Sequence, residues 1–239
     1  MSTLTGQLRS IQIGIPRIQQ PASADDRQSR PWTTGIFKRP VLGPVWLGQH
    51  SLQGDGQADL VHHGGIDKAV CAYPSEHWAY WRGILPPDLL SGGAFGENFT
   101  LQGLTEADVC IGDVFSVGSA VVQVSQPRQP CWKLARRWAI KDLAVHVERT
   151  GFTGWYFRVT QAGTVEPGAR LQLIDRPCPE WTIATANRIM RHEGDHQTAA
   201  QHLSLCPFLS SSWQQTLRQR CHNQEGPELQ KRRFGNTHP

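Results

Sequence analysis

Short runs of alternating apolar and polar residues, closed by glycine or proline, recur up to about residue 175. Residues 8–15 are rich in β-branched side chains between Gly6 and Pro16, and residues 120–125 read as a buried strand. Residues 155–161 and 170–174 read as strands paired with each other through Gly163 and the Pro167-Gly168 turn. Many short strands between such turns predict a mainly β fold, a closed barrel or sandwich rather than a doubly wound sheet. Helical spacing interrupts this pattern. Ser75 can cap residues 76–82, residues 132–138 keep helical spacing, and residues 141–149 form an amphipathic segment that stops at Gly151. After Pro179 the character changes. Thr182 can cap a helix over 183–192, a second covers 197–203, and a third follows Pro207 over 210–221. The pattern therefore predicts a mainly β domain, barrel or sandwich, over 1–178, a small three-helix module over 179–222 and a flexible basic tail over 223–239.

A chain of 239 residues can bury a substantial core. Its six cysteines show no paired short spacing, residues 1–10 lack the apolar run of a signal peptide, and no stretch is apolar enough to span a membrane. Free thiols in a reducing compartment, by default the cytoplasm, are the expectation. The net charge of +4 is mild and gathers near the C-terminus, where Arg218, Arg220, Lys231, Arg232 and Arg233 face only Glu225 and Glu228. Basic residues are not interleaved with aromatics in the manner of a nucleic-acid module, so no nucleic-acid polymer is expected as partner.

Candidate chemistry concentrates in residues 125–133, Ser-Gln-Pro-Arg-Gln-Pro-Cys-Trp-Lys. Cys131 follows Pro130 at the start of a helical pattern, between Arg128 and Lys133. Unpaired backbone N–H groups and neighbouring cations favour a thiolate there, which could serve as nucleophile, redox centre or ligand for a soft metal. Three other segments can complete an anion site: Thr33-Thr34-Gly35-Ile36-Phe37-Lys38, His62-His63-Gly64-Gly65-Ile66-Asp67-Lys68-Ala69 and Gly93-Ala94-Phe95-Gly96-Glu97-Asn98-Phe99. Glycines admit close backbone approach to an anion, and Thr, Lys and Arg side chains supply donors. Taken singly, Gly64-Gly65 is more simply a tight turn and Glu97-Asn98 a turn as well. A zinc site on His62, His63 and His77 matches no strong spacing. Glu106, Asp108 and Asp113 read as solvated turn residues, and the tryptophans as core.

Together, Gly54-Asp55, His63-Gly64-Gly65, Tyr73-Pro74, Phe95-Gly96-Glu97-Asn98, Gly112-Asp113 and Gln126-Pro127-Arg128-Gln129-Pro130-Cys131 resemble the MOSC domain (molybdenum cofactor sulfurase C-terminal domain). The likeness runs over about residues 6–175 and is greatest to stand-alone YiiM-type members, in which a three-helix module follows the barrel. The resemblance implies a barrel that holds molybdenum cofactor (molybdopterin), with Cys131 as catalytic residue and molybdenum ligand. Thr34, Lys38, His63, Lys68, Asn98 and Arg128 become candidate cofactor contacts, with Gln126 and Lys133 as further ones; His62 receives no role. It also implies reduction of N-hydroxylated compounds such as hydroxylaminopurines to amines. No flavin or nicotinamide fingerprint is present, so a flavin-containing NADPH reductase is the implied electron donor. The alternatives are a sulfur carrier or cofactor-delivery protein with a Cys131 persulfide, and a plain binding module for phosphorylated ligands.

Overall fold

The structure, a computed structural model, describes residues 4–20, 30–60, 63–191, 196–221 and 228–235. Its strands in chain order are β1 (Thr5–Ile13), β2 (Arg17–Gln19), β3 (Trp32–Thr34), β4 (Arg39–Val41), β5 (Val45–Leu47), β6 (Val70–Pro74), β7 (Phe99–Gln102), β8 (Val114–Val117), β9 (Ala120–Pro127), β10 (Trp155–Gln161), β11 (Gly163–Val165) and β12 (Arg170–Asp175). Seven of them, β1-β12-β8-β9-β10-β6-β7, close into a ring because β7 returns to β1. β1 serves three partners along its length: β12 near Thr5, β7 in its middle and β4 near Ile13. A register shift between Leu8 and Ser10 brings both Leu8 and Ile11 into the core.

The predicted pairing of residues 155–161 with 170–174 does not occur. β10 lies between β9 and β6, whereas β12 lies between β1 and β8. Ring closure claims β12 for β1, and the intervening β11 turns away to pair with β5. β6 and β7 run parallel, the exception in an otherwise antiparallel ring. A parallel pair needs a crossover. Residues 75–98 supply it, carrying a 3-10 turn and the short helix α1 (Trp78–Trp81). Ser75 lies inside that turn and caps nothing with its side chain.

Two helices follow β9: α2 (Trp132–Trp138), and α3 (Leu143–Thr150), which ends on Gly151 at φ 75°. α1, α2 and α3 bury Trp81, Leu134, Leu143 and Val147 with Tyr73 and Phe95 in a second apolar cluster beside the barrel. The three helices expected after Pro179 are α4 (Ile183–Met190), α5 (His196–Ser204) and α6 (Ser211–Cys221). The Thr182 hydroxyl accepts the Thr185 N–H at 3.0 Å and that of Ser210 accepts the Trp213 N–H at 3.3 Å. Their apolar faces, including Ile183, Leu203, Trp213 and Leu217, merge with barrel residues Leu8, Phe115, Val122 and Phe157 in one core.

Two further readings of the sequence need correction. Residues 228–234, within the segment expected to be a flexible tail, form α7 (Glu228–Phe234) against α2. Arg232 and Arg233 there pair with the buried Glu148 of α3, which gives this basic segment a seat on the fold. Glu106 and Asp113 are buried rather than solvated, because each has strong partners. Glu106 meets His77 at 2.6 Å and accepts the Gly154 N–H at 2.7 Å; Asp113 takes Arg176 and the Cys110 N–H. No helix among the described residues is long and apolar enough to cross a membrane.

Candidate functional site

Where β9 ends at Pro127, the chain leaves the barrel wall and runs through Arg128 and Pro130 to Cys131, the residue that caps α2. The Arg128 N–H donates to the Gly154 carbonyl at 3.0 Å. Gly154 sits at φ 68°, and a Cβ there would lie 2.1 Å from the Ala72 carbonyl oxygen, so only glycine allows this approach. The Arg128 side chain is thereby carried into the protein. Its Nη2 donates to the Phe95 carbonyl at 2.6 Å, whereas its buried Nη1 has no hydrogen-bond partner among the described residues. The Phe95 carbonyl is aimed by Glu97, whose buried carboxylate accepts the N–H groups of Gly93 and Phe95 at 2.7 and 2.9 Å and the Thr100 hydroxyl at 2.9 Å. Glu97 and Asn98 are thus more than a turn.

Asp55 organises a second wall. Its buried carboxylate pairs with Lys38, accepts the Gly14 N–H at 2.8 Å and accepts the Asn98 side-chain amide at 2.9 Å. The remaining amide oxygen of Asn98 accepts the Cys71 N–H at 3.1 Å. A third wall is the loop from His63 to Lys68, anchored where Asp67 meets Arg158 at 2.9 Å and where the Ser125 hydroxyl donates to the Asp67 carbonyl at 2.5 Å.

These walls enclose a cavity of about 90 Å³ lined by Thr34, Lys38, His63, Lys68, Asn98, Arg128, Cys131 and Lys133, and also by Cys71 and Tyr156. Eight residues singled out from sequence therefore converge on one hollow. Their duties differ. Lys38 and Asn98 are held by Asp55 and serve the wall itself, and the Thr34 hydroxyl accepts the Ile36 N–H at 3.1 Å. Gln126 lies outside the lining: its side chain donates to the Pro127 carbonyl at 3.2 Å and accepts the Ser212 hydroxyl at 3.4 Å. His62 lies outside the described residues.

Cys71 and Tyr156 were not candidates. They are direct cross-strand partners of β6 and β10, and each reads in sequence as the interior of an apolar strand.

Burial, with Lys133, Arg128 and Lys68 adding repulsion and Asp59 opposing, lowers the His63 pKa to about 4. His63 is therefore neutral near pH 7. Burial also lowers the Lys68 pKa, against the pull of Asp67 and Asp59. For Arg128 burial disfavours the charge, but Cys71 and Tyr156, which ionise in the alkaline range where a guanidinium titrates, and the Glu97 carboxylate outweigh it, and the pKa stands above the ordinary value. Burial pushes the Cys71 thiol up to about 11 and raises the Tyr156 hydroxyl well above its usual range. Cys71 and Tyr156 accordingly present protonated groups to the cavity.

The orphaned Nη1 of Arg128 fits an anionic ligand, since a buried charged donor without an acceptor is costly. Among the described residues, no three His, Cys, Asp or Glu side chains gather into a metal-binding cluster. The cavity instead offers thiol sulfur beside cations. That donor set suits an anionic group together with a soft metal that brings ligands of its own.

The sequence profile of the MOSC domain matches residues 59–172. The uncharacterized protein YflK of Bacillus subtilis is 52% identical over 180 residues, spanning 75% of this chain and 81% of that protein. The crystal structure of YiiM from Geobacillus stearothermophilus superposes with a TM-score of 0.73 at 43% identity, covering 90% of this chain and 99% of that one. A protein of Gibberella moniliformis named "Reductase" is 36% identical over 162 residues; these make up 66% of this chain but only 29% of that protein.

Proposed function

The chain belongs to the MOSC domain family, in its YiiM-type branch, and from that premise we propose that it is a molybdenum-cofactor-binding oxidoreductase that reduces N-hydroxylated compounds to amines. MOSC domains are associated with molybdenum cofactor. The observation that carries the reading here is Arg128, buried and charged with one nitrogen unsatisfied, in the same cavity as Cys131.

The bound cofactor would supply the two-electron redox change, and the chain's residues supply everything around it. Cys131 would hold the metal through its sulfur. Arg128, Lys68 and Lys133 would receive the cofactor's phosphate, with Arg128 Nη1 gaining the acceptor it lacks. Neutral His63 can donate one hydrogen bond without adding charge to a crowded cationic wall. Tyr156 stays protonated and presents an O–H donor near the thiols. Conversion of an N-hydroxyl to an amine takes up two electrons and two protons and releases water. A flavin-containing NADPH reductase is the proposed electron donor. The relative named "Reductase" supports a redox role, though the stretch it shares with this chain fills under a third of its length.

Protein prepared from a host that makes the cofactor should contain molybdenum and fluorescent pterin. It should also reduce hydroxylaminopurine when supplied with a reduced viologen. Cys131→Ser should remove turnover and metal while leaving the fold intact, one oxygen-for-sulfur change at a loop–helix junction costing little packing. Molybdenum-free protein from such a host would overturn the reading. So would transfer of labelled sulfur from Cys131 without turnover, which is the sulfur-carrier outcome.

A further inference from the structure

We propose that α7 belongs to the site, with Arg232 as a positioning residue that aims the Cys131 thiol into the cavity. This goes beyond the reading above and rests on Cys131 facing the cavity, whatever ligand the cavity takes.

Arg232 Nη1 donates to the Pro130 carbonyl at 2.7 Å and to Glu148 Oε1 at 2.6 Å. Arg233 Nε donates to the other oxygen, Glu148 Oε2, at 2.8 Å. One carboxylate in the last turn of α3 thus seats two guanidinium groups, both in charge-assisted hydrogen bonds. Gly235, just beyond α7, sits against the Trp132 ring: a Cβ there would lie 3.5 Å from it.

The bond to Pro130 has a geometric consequence for its neighbour. A peptide unit is planar, so the Pro130 oxygen and the nitrogen and Cα of Cys131 move as one body. The proline ring already fixes φ at residue 130. Pinning the carbonyl restrains ψ at Pro130, the remaining soft angle on that side. On the other side Cys131 is held by α2, since its own carbonyl accepts the Leu134 N–H at 2.9 Å. Only the side-chain torsion of Cys131 is then left to choose where sulfur points. Release of Arg232 frees the N-terminal side of this clamp and exposes a thiol that is otherwise buried.

The ligand-free protein provides the test. Iodoacetamide labelling of Cys131 is followed by peptide mass spectrometry, with the half-buried Cys221 as internal reference. Arg232→Met should speed Cys131 labelling about tenfold or more relative to Cys221, the scale of one hydrogen bond from a charged donor. Arg233→Met should change it by no more than about twofold, and Arg232→Lys should return it close to the parent rate. Both methionine variants take one guanidinium from Glu148, so a role confined to docking α7 predicts equal effects. Equal labelling in the two, or an unchanged rate in Arg232→Met, would overturn the proposal. Loss of molybdenum binding in the parent protein would leave this result standing, which separates it from the functional reading.

Discussion

Arg128 concentrates the tension of the cavity in one side chain: a retained positive charge, burial and a nitrogen with no acceptor among the described residues. Arg128→Met removes the unmatched donor and the buried charge but strips the Phe95 carbonyl of its partner. These effects oppose each other, so stability should shift by no more than about 1 kcal/mol. Molybdenum and pterin content should fall about tenfold, as expected when a charge-assisted contact is lost. Thermal unfolding and metal analysis of the same preparation check both halves, and a large loss of stability would mark Arg128 as structural. Much at this scale was legible in the sequence, because Arg128, Cys131 and Lys133 lie within six residues and proline placement shows where the helix begins. Cys71 and Tyr156 were not legible. Nothing local separates them from the core residues beside them, and they meet only through the register of β6 on β10. Gln126 misled in the opposite way. It sits two residues from Arg128, but the strand ends between them, and its side chain serves α6 instead.

Between elements, Asp55 ties the end of β1 to the start of β7 and to the loop that carries Lys38. Asp55→Asn leaves a buried ammonium without its counter-charge and sets one amide donor against another at Asn98. A loss of about 3 kcal/mol is expected in denaturant unfolding. Adding Lys38→Met should recover at least half of that loss; failure to recover it would mean that the Asn98 contact, not the ion pair, dominates. Helices were easier to read than strand partners. Thr182, Ser210 and Gly151 mark their boundaries through hydrogen bonds or backbone angles within a few residues. Strand pairing depends on which segment closes the ring, and β10 and β12 each carry an alternation compatible with several neighbours.

Across the whole molecule, the helices after Pro179 fill the same core as the barrel, and Arg158 reaches from the Asp67 loop to the Phe208 carbonyl at 2.9 Å. The cavity wall and the helical module therefore share a support. Global stability should also register the state of His63. Its pKa of about 4 in the fold lies below the ordinary 6.5, so the unfolded chain takes up the proton first as pH falls. The contribution is whole above about pH 6.5 and declines from there down to about pH 4, by at most about 3 kcal/mol. Thermal midpoints measured across that range should fall in the parent and flatten in His63→Gln; parallel curves would count against a half-buried imidazole held neutral.

Closure of the ring by β1 against β12 constrains how the chain can be made. On the ribosome, Gln7 cannot meet Arg170 until nearly the whole barrel has been translated, roughly ten to thirty seconds later at ordinary elongation rates. Until then β1 must wait with an open edge, partnered at best by β4 and β7. Nascent chains stalled before residue 170 should therefore be the sticky ones, and a chaperone that shields β1 would matter more than one acting on the finished helices.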